Sequence, residues 1–361
     1  MPIHFSDLPA LLGGTLLLAP PTDAAVATLL LDSRRVGFTE GAVFFALPGP
    51  NHDGHHHLAA LYAKGVRLFV VRHPPASLEP FGGAGFVQVP EVLAALQALA
   101  ARHRAIFSGP VWAVTGSNGK TIVKEWLAQV LASDEDICRS PKSYNSQVGV
   151  PLSVWELAPG RHTLGIFEAG ISERGEMARL AAIIQPTHGI FTTLGTAHDA
   201  GFASAEEKLG EKLRLFERPG FELLVYCADQ PAVHAAVQAR ALPALAWTRH
   251  DAPGAALRFR LRATGAGGTT VRVRLGEAGL GLAADQPALR AAARFTLPFA
   301  DALEIENALH CLAVLLWRQL DPATALAPAE IQRRLARLQP VAMRLEMKAG
   351  RHGCYLLDDT Y

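Results

Sequence analysis

Val114-Thr115-Gly116-Ser117-Asn118-Gly119-Lys120-Thr121 follows the apolar run Val111-Trp112-Ala113-Val114. It precedes Val123, Trp126, Leu127, Val130 and Leu131, which are spaced to share one helix face. A buried strand, a glycine loop, Gly-Lys-Thr and then a helix is the arrangement that holds nucleotide phosphates. Backbone N–H groups at the helix N-terminus attract the anion, Lys120 adds a point charge, and the Thr121 hydroxyl can ligate Mg²⁺. The common phosphate-loop pattern asks for glycine where this chain has Val114. The stretch therefore reads as a phosphate loop, but not that of an ordinary kinase or GTPase.

Outward from the loop, the chain alternates strand and helix. Leu164-Gly165-Ile166-Phe167-Glu168, His188 to Thr193 and Leu223 to Tyr226 read as strands, with a helix predicted over Gly175 to Ile184. Their apolar runs are continuous rather than alternating, which suits parallel strands covered on both faces. Ligands of such sheets sit beyond the strand C-termini. Lys120, Glu168 and the loop after Thr193 all fall at that edge. The fold class is α/β: a small N-terminal α/β unit over residues 1–107, a central mostly parallel sheet domain with an antiparallel β extension over 108–345, and the start of a third unit over 346–361.

In the first unit, Ala42 to Leu47 and Arg67 to Val71 read as strands, and Leu58 to Lys64 and Val92 to Ile106 as helices. Ser108-Gly109-Pro110 marks the boundary. Farther on, Arg258 to Arg262 and Thr270 to Arg274 alternate with period two around Gly265-Ala266-Gly267-Gly268. That predicts an antiparallel hairpin with one solvated arginine face. A nucleic-acid patch is the sharper reading of the same arginines, but alternation alone accounts for them. A helix is predicted from Glu304 to Gln319. Tyr355-Leu356-Leu357-Asp358-Asp359 reads as the first strand of a further α/β unit.

The 361 residues carry a net charge of +1, with no field to recruit nucleic acid or an acidic membrane. No Lys or Arg precedes Arg34, so the apolar N-terminus is neither a signal peptide nor a membrane span, and a cytoplasmic protein is expected. The four cysteines lack C-x-x-C spacing and read as free thiols. Only seven of the 34 basic residues are lysines, which makes each lysine mildly informative.

Several residues could carry chemistry. Glu168, at a strand exit, reads equally as a Mg²⁺ ligand or a loop carboxylate. His198 is a ligand candidate by its place beyond a strand, against the plainer reading of a loop histidine. Lys212, in Glu206 to Phe216, looks like part of a charged, solvated helix face. Ser33 and Arg34 could bind a phosphate or simply form an exposed turn. His52, His55, His56 and His57 crowd one loop, too close together to converge on zinc.

Together these residues resemble the Mur ligases, ATP-dependent amide-bond enzymes of peptidoglycan precursor synthesis. Thr115 to Thr121 match that family's loop T-G-[ST]-N-G-K-T, so Val114 is a family feature. Further matching stretches are Asp32-Ser33-Arg34, Phe44 to Leu47, Asp53-Gly54-His55, Ser143 to Pro151, Glu168-Ala169-Gly170, Gly175-Glu176 and Gly195-Thr196-Ala197-His198. Within the family the chain is most similar to the ligase that adds D-alanyl-D-alanine to UDP-N-acetylmuramoyl-tripeptide.

The resemblance implies roles residue by residue. Thr115, Gly116, Ser117, Asn118, Gly119, Lys120 and Thr121 would hold ATP, with Asn307 near the adenine, Arg344 on a phosphate and Asp359 on the ribose. Thr121, Glu168, His198 and Lys212 would serve two Mg²⁺ ions, Lys212 as a carbamylated lysine. Ser33, Arg34, Asn145 and Ser146 would contact the UDP-linked substrate, whose UDP end the first unit binds. The family often has a second asparagine where this chain has Ser146.

Asp358 to Tyr361 would correspond to the beginning of the family's third domain, and ligase–alanine racemase fusions have similar N-terminal halves. The sequence thus also reads as part of a longer polypeptide. The alternatives are another Mur-type ligase or a folylpolyglutamate synthetase, a nucleotide-binding fragment without turnover, and an unrelated phosphate-loop NTPase.

Overall fold

The computed structural model describes residues 2–49, 52–196, 201–264, 267–276, 293–339, 341, 346–349 and 354–358. The strands are β1 (Thr15–Leu18), β2 (Thr28–Leu30), β3 (Ala42–Phe45), β4 (Leu68–Val71), β5 (Gly85–Gln88), β6 (Val111–Thr115), β7 (Ile137–Arg139) and β8 (Leu164–Glu168). They continue as β9 (His188–Phe191), β10 (Leu223–Cys227), β11 (Ala244–Thr248), β12 (Leu257–Ala263), β13 (Thr269–Leu275), β14 (Arg294–Leu297), β15 (Glu346–Ala349) and β16 (Tyr355–Asp358). The helices are α1 (Leu8–Leu12), α2 (Leu58–Ala63), α3 (Val92–Arg104), α4 (Lys120–Leu131), α5 (Gly149–Trp155), α6 (Glu176–Ile184), α7 (Ala205–Leu213), α8 (Pro231–Ala239), α9 (Ala302–Trp317) and α10 (Pro328–Ala336).

Two sheets organise the chain. One runs β1-β5-β4-β3-β2, with β2 to β5 parallel and β1 antiparallel to β5. The other has nine strands in the order β14-β13-β12-β11-β10-β9-β6-β8-β7, parallel from β7 to β12 and antiparallel at β13 and β14.

The continuous apolar runs have a direct cause. On β6, Trp112 and Val114 enter one core while Val111 and Ala113 enter the other; Val225 and Tyr226 on β10 divide the same way. Each residue of such a strand is buried whichever way it points. Helices α4 and α9 pack on one face, where Trp126 stacks on Phe299 at 4.4 Å. Helices α6, α7 and α8 cover the other. Asp301 caps α9 by accepting from the Leu303 and Glu304 N–H groups, which satisfies donors the helix itself leaves open.

The arginine hairpin forms as expected and extends the central sheet: β12 pairs parallel with β11 and antiparallel with β13, and β14 adds a further antiparallel strand. The strand predicted at Tyr355 forms as β16 and pairs antiparallel with β15. One boundary differs from its expectation. The helix predicted to Gln319 ends at Trp317 and tightens into a 3₁₀ turn over Arg318–Leu320. Among the described residues, no helix is long and apolar enough to cross a membrane.

Candidate functional site

The loop between β6 and α4 is shaped by two glycines that no other residue could replace without strain. Gly116 has φ 142°, and a Cβ there would lie 2.1 Å from Thr192 Oγ1. Gly119, the N-cap of α4, has φ 80°, and its Cβ would lie 2.3 Å from Asn307 Oδ1. Both positions need glycine's left-handed freedom and its missing side chain. The Gly119 cap offers no side chain to the first helical turn, which leaves those N–H groups available to an anion.

Neighbouring strand exits hold the loop in place. The Ser117 N–H donates to Thr193 O at 2.6 Å, and Thr192 Oγ1 donates to the Thr115 and Asn118 carbonyls. Lys120 Nζ curls over the loop, 3.1 Å from both the Gly116 and Ser117 carbonyl oxygens. Burial pushes its pKa below the ordinary lysine value, and Glu168 partly opposes that.

Glu168, at the end of β8, is buried beside the loop. Its carboxylate accepts from Thr121 Oγ1 at 2.9 Å and from Asn145 Nδ2 at 2.6 Å. Its own N–H donates to Ser140 Oγ. A hydroxyl and a carboxylate at the mouth of a phosphate loop are hard oxygen donors. They suit Mg²⁺, which takes one or two protein ligands and completes its shell with phosphate oxygens and water. Behind them Lys124 is fully buried, donating to the Ser140 and Lys142 carbonyls. It pins the segment that delivers Asn145, across the left-handed Lys142 at φ 49°.

Lys212 overturns the solvated-face reading. It is 2% exposed, and its Nζ donates to Gly116 O at 3.2 Å. Spacing i, i+4 puts Lys208 on the same face of α7, and Lys208 is buried too, donating to Gly195 O. Burial, followed by the like charges of Lys120 and Lys208, drives the Lys212 pKa down to about 7.

In the unfolded chain Lys212 titrates at its ordinary value. Between about pH 7 and pH 10.5 the unfolded state therefore binds more protons, and stability rises with pH. The full penalty is present below about pH 7 and amounts to roughly 2–5 kcal/mol. We expect Lys212→Met to be more stable than the parent at about pH 6.5, with the advantage shrinking by about pH 9.5. Chemical denaturation at both pH values checks this; a difference that does not change with pH would contradict it.

Ser33 and Arg34 lie apart from the loop, on the wall of a cavity of about 480 Å³ that Leu47, Gly54 and His57 also line. Arg34 forms a two-point pair with Asp32, Nε–Oδ1 and Nη2–Oδ2 both 2.9 Å, which holds the Asp32 carboxyl well below the usual carboxylate range. An adjoining cavity of about 570 Å³ shares Leu31 and Asp32 and reaches Tyr144 and Ser146. Ser146 Oγ accepts from the Gly149 N–H at the start of α5, while Asn145 turns to Glu168. The structure thus brings together Thr115 to Thr121, Asn145, Glu168, Lys212 and Asn307. Ser33 and Arg34 are one cavity away. His198, Arg344 and Asp359 lie outside the described residues.

Of the histidine cluster, His55 accepts from the Arg72 and His73 N–H groups through Nε2, so its Nδ1 proton faces Asp53 at 2.6 Å. Sequence reasoning missed Thr192, Lys124, Gln230 and His310. Gln230 clamps the Thr192–Leu194 exit, accepting from the Leu194 N–H at 2.8 Å. Lysine scarcity could have flagged Lys124, one helical turn beyond Lys120. Nothing in the sequence marked the others.

The family described as Mur ligase middle domain matches residues 114–276, from the phosphate loop through β13. Residues 114–276 are thus similar to the middle domain of the Mur ligases. The UDP-N-acetylmuramoyl-tripeptide–D-alanyl-D-alanine ligase of Synechocystis is 35% identical over 189 residues, which is 52% of this chain and 40% of that protein. The chain spans less than half the length of the curated relatives it matches. Two solved structures share the fold of this chain. MurF from Acinetobacter baumannii has a TM-score of 0.79 and 22% identity, covering 100% of this chain and 73% of its own. MurF from Thermotoga maritima in complex with ADP has a TM-score of 0.72 and 22% identity, covering 93% and 71%.

Proposed function

We propose that this chain is the substrate- and ATP-binding part of a ligase that joins D-alanyl-D-alanine to UDP-N-acetylmuramoyl-tripeptide. The observation that carries the reading is the convergence of Lys120, the Thr121–Glu168–Asn145 cluster and Lys212 on one phosphate loop. Two adjoining cavities that share Leu31 and Asp32, one of which reaches Ser146 next to Asn145, are assigned to the UDP-linked substrate. Residues 1–107 are assigned to the UDP end, 108–345 to ATP and 346–361 to the start of a third unit; the compartment is the cytoplasm.

The loop N–H groups and Lys120 hold the ATP phosphates, and Asn307 lies against Gly119 at the same loop. The tripeptide's terminal carboxylate oxygen attacks the γ-phosphorus, giving an acyl phosphate and ADP. The dipeptide amine then adds to the acyl carbon, and the tetrahedral adduct expels phosphate as the amide forms. Positioning and charge stabilisation dominate such a transfer. Thr121 and Glu168 are placed to hold Mg²⁺, which when bound neutralises developing charge on phosphate oxygens.

A lysine with a pKa near 7 carries a substantial neutral fraction at physiological pH. The neutral amine of Lys212 can add CO₂, losing one proton to give a carbamate whose oxygens are metal ligands. Arginine could not do this. By resemblance, His198 serves the second metal, Arg344 a phosphate and Asp359 the ribose.

Phosphate release by the full native polypeptide tests the assignment. We expect it to require ATP, UDP-N-acetylmuramoyl-tripeptide and D-alanyl-D-alanine together, with no release when a diaminopimelate or glutamate acceptor replaces the dipeptide. Hydrolysis of ATP alone that survives both Glu168→Ala and Lys212→Ala would mark an unrelated NTPase.

A further inference from the structure

The outer end of the central sheet carries charge that the ligase reading does not use. Arg260 on β12 lies directly opposite Arg272 on β13, which lies directly opposite Arg294 on β14. Three like charges therefore sit side by side across neighbouring strands, about 5 Å apart from strand to strand. Like charges in directly opposed positions destabilise a sheet, so the row works against folding. Arg262, two residues beyond Arg260, shares the face and is exposed.

Asp251 pairs with Arg258 and Arg260. Among the described residues no carboxylate pairs with Arg262, Arg272 or Arg294, and the Arg272 Nε is buried without a hydrogen-bond partner. These arginines line a cavity of about 570 Å³ together with the Thr264 and Thr270 side chains.

We propose that this row is a binding site for a compact oligophosphate, a ligand of three or more linked phosphates. Guanidinium groups recognise phosphate oxygens in paired, planar hydrogen bonds, and the Thr270 hydroxyl at the rim adds a neutral donor, while that of Thr264 is spent on the Gly268 carbonyl. A row of three suits a short linear polyanion better than a single phosphate. Single-stranded nucleic acid is disfavoured because no aromatic side chain lines the cavity to stack a base. Double-stranded nucleic acid is disfavoured by a net charge of only +1. The site is separate from the phosphate loop: four strand spacings, about 19 Å, lie between β12 and β6. It stands or falls independently of the ligase assignment.

Calorimetric titration with sodium tripolyphosphate tests it, in a Lys120→Ala background that weakens the loop's own phosphate site. Arg294 is exposed, so its replacement leaves the core intact. We expect Arg294→Thr to weaken tripolyphosphate binding about tenfold or more. With Lys120 restored, the same variant should bind nucleotide as the parent does. Without ligand it should melt higher than the parent, because a like-charge contact is gone. A purely structural arginine would not give these opposite signs. Unchanged tripolyphosphate affinity in both Arg294→Thr and Arg260→Thr would overturn the proposal. So would orthophosphate binding as tightly as tripolyphosphate, or displacement of tripolyphosphate by a short single-stranded oligonucleotide at lower concentration.

Discussion

Lys120→Ala is expected to weaken nucleotide binding by about 10- to 100-fold, the worth of a charge-assisted hydrogen bond to phosphate. In the full native polypeptide it should lower turnover by about 10²–10³, as the loss of one preorganised charge-stabilising donor does elsewhere. The ammonium is held over the loop by the Gly116 and Ser117 carbonyls, and burial makes its charge costly there. A phosphate placed against it relieves that cost, so the interaction is stronger than one in water. Lys120→Arg should fail nearly as badly, since a planar fork cannot replace a compact ammonium curled inside its own loop. The folded state should not suffer from the alanine, because a desolvated charge is removed with it. Calorimetric titration with ADP checks affinity, and an unchanged dissociation constant would contradict the role.

Trp247→Ala is expected to cost about 3–5 kcal/mol of stability, the range for removing a large buried aromatic. Trp247 is fully buried on β11, its ring 5.6 Å from Phe259. Its Nε1 donates to His310 Nδ1 at 3.2 Å, which leaves the His310 proton on Nε2, facing Thr192 O at 3.3 Å. His310 is completely enclosed, and burial drives its pKa down to about 3, so it stays neutral and keeps this tautomer. The indole thus supports Thr192, and Thr192 supports the Thr115 and Asn118 carbonyls of the phosphate loop. Alanine would leave a cavity and an unpartnered ring nitrogen, and nucleotide affinity should fall along with stability. Trp247→Phe keeps most of the volume and should cost about 1–3 kcal/mol, chiefly for the orphaned acceptor. Urea unfolding separates the two; a loss below about 1 kcal/mol for alanine would sink this account of the loop's support.

The parallel core was legible because its cause is local. Residues such as Trp112 to Val114 must be apolar at every position when a sheet is covered on both faces, and that leaves a continuous run in the sequence. The glycine loop was legible for a similar reason, since φ values of 142° and 80° exclude other residues at Gly116 and Gly119. Lys212 was misread because its surroundings are set by tertiary packing. Glu206, Glu207 and Glu211 around it suggest a wet face, while Leu209 and Leu213 carry the burial. The Leu209 and Leu213 spacing held the correcting signal, and charge content overrode it. Thr192, Gln230 and His310 left no trace because each acts through a backbone carbonyl or N–H distant in sequence. Short strands such as β7 and β14 were missed for want of length, only three and four residues each.

The most direct test of the proposed chemistry follows one oxygen atom. UDP-N-acetylmuramoyl-tripeptide labelled with ¹⁸O in its terminal carboxylate is given to the full native polypeptide with ATP and D-alanyl-D-alanine, and the released phosphate is examined by mass spectrometry. An acyl phosphate on the path predicts one labelled oxygen in each phosphate for each amide formed. Phosphate free of label while the amide accumulates would contradict it.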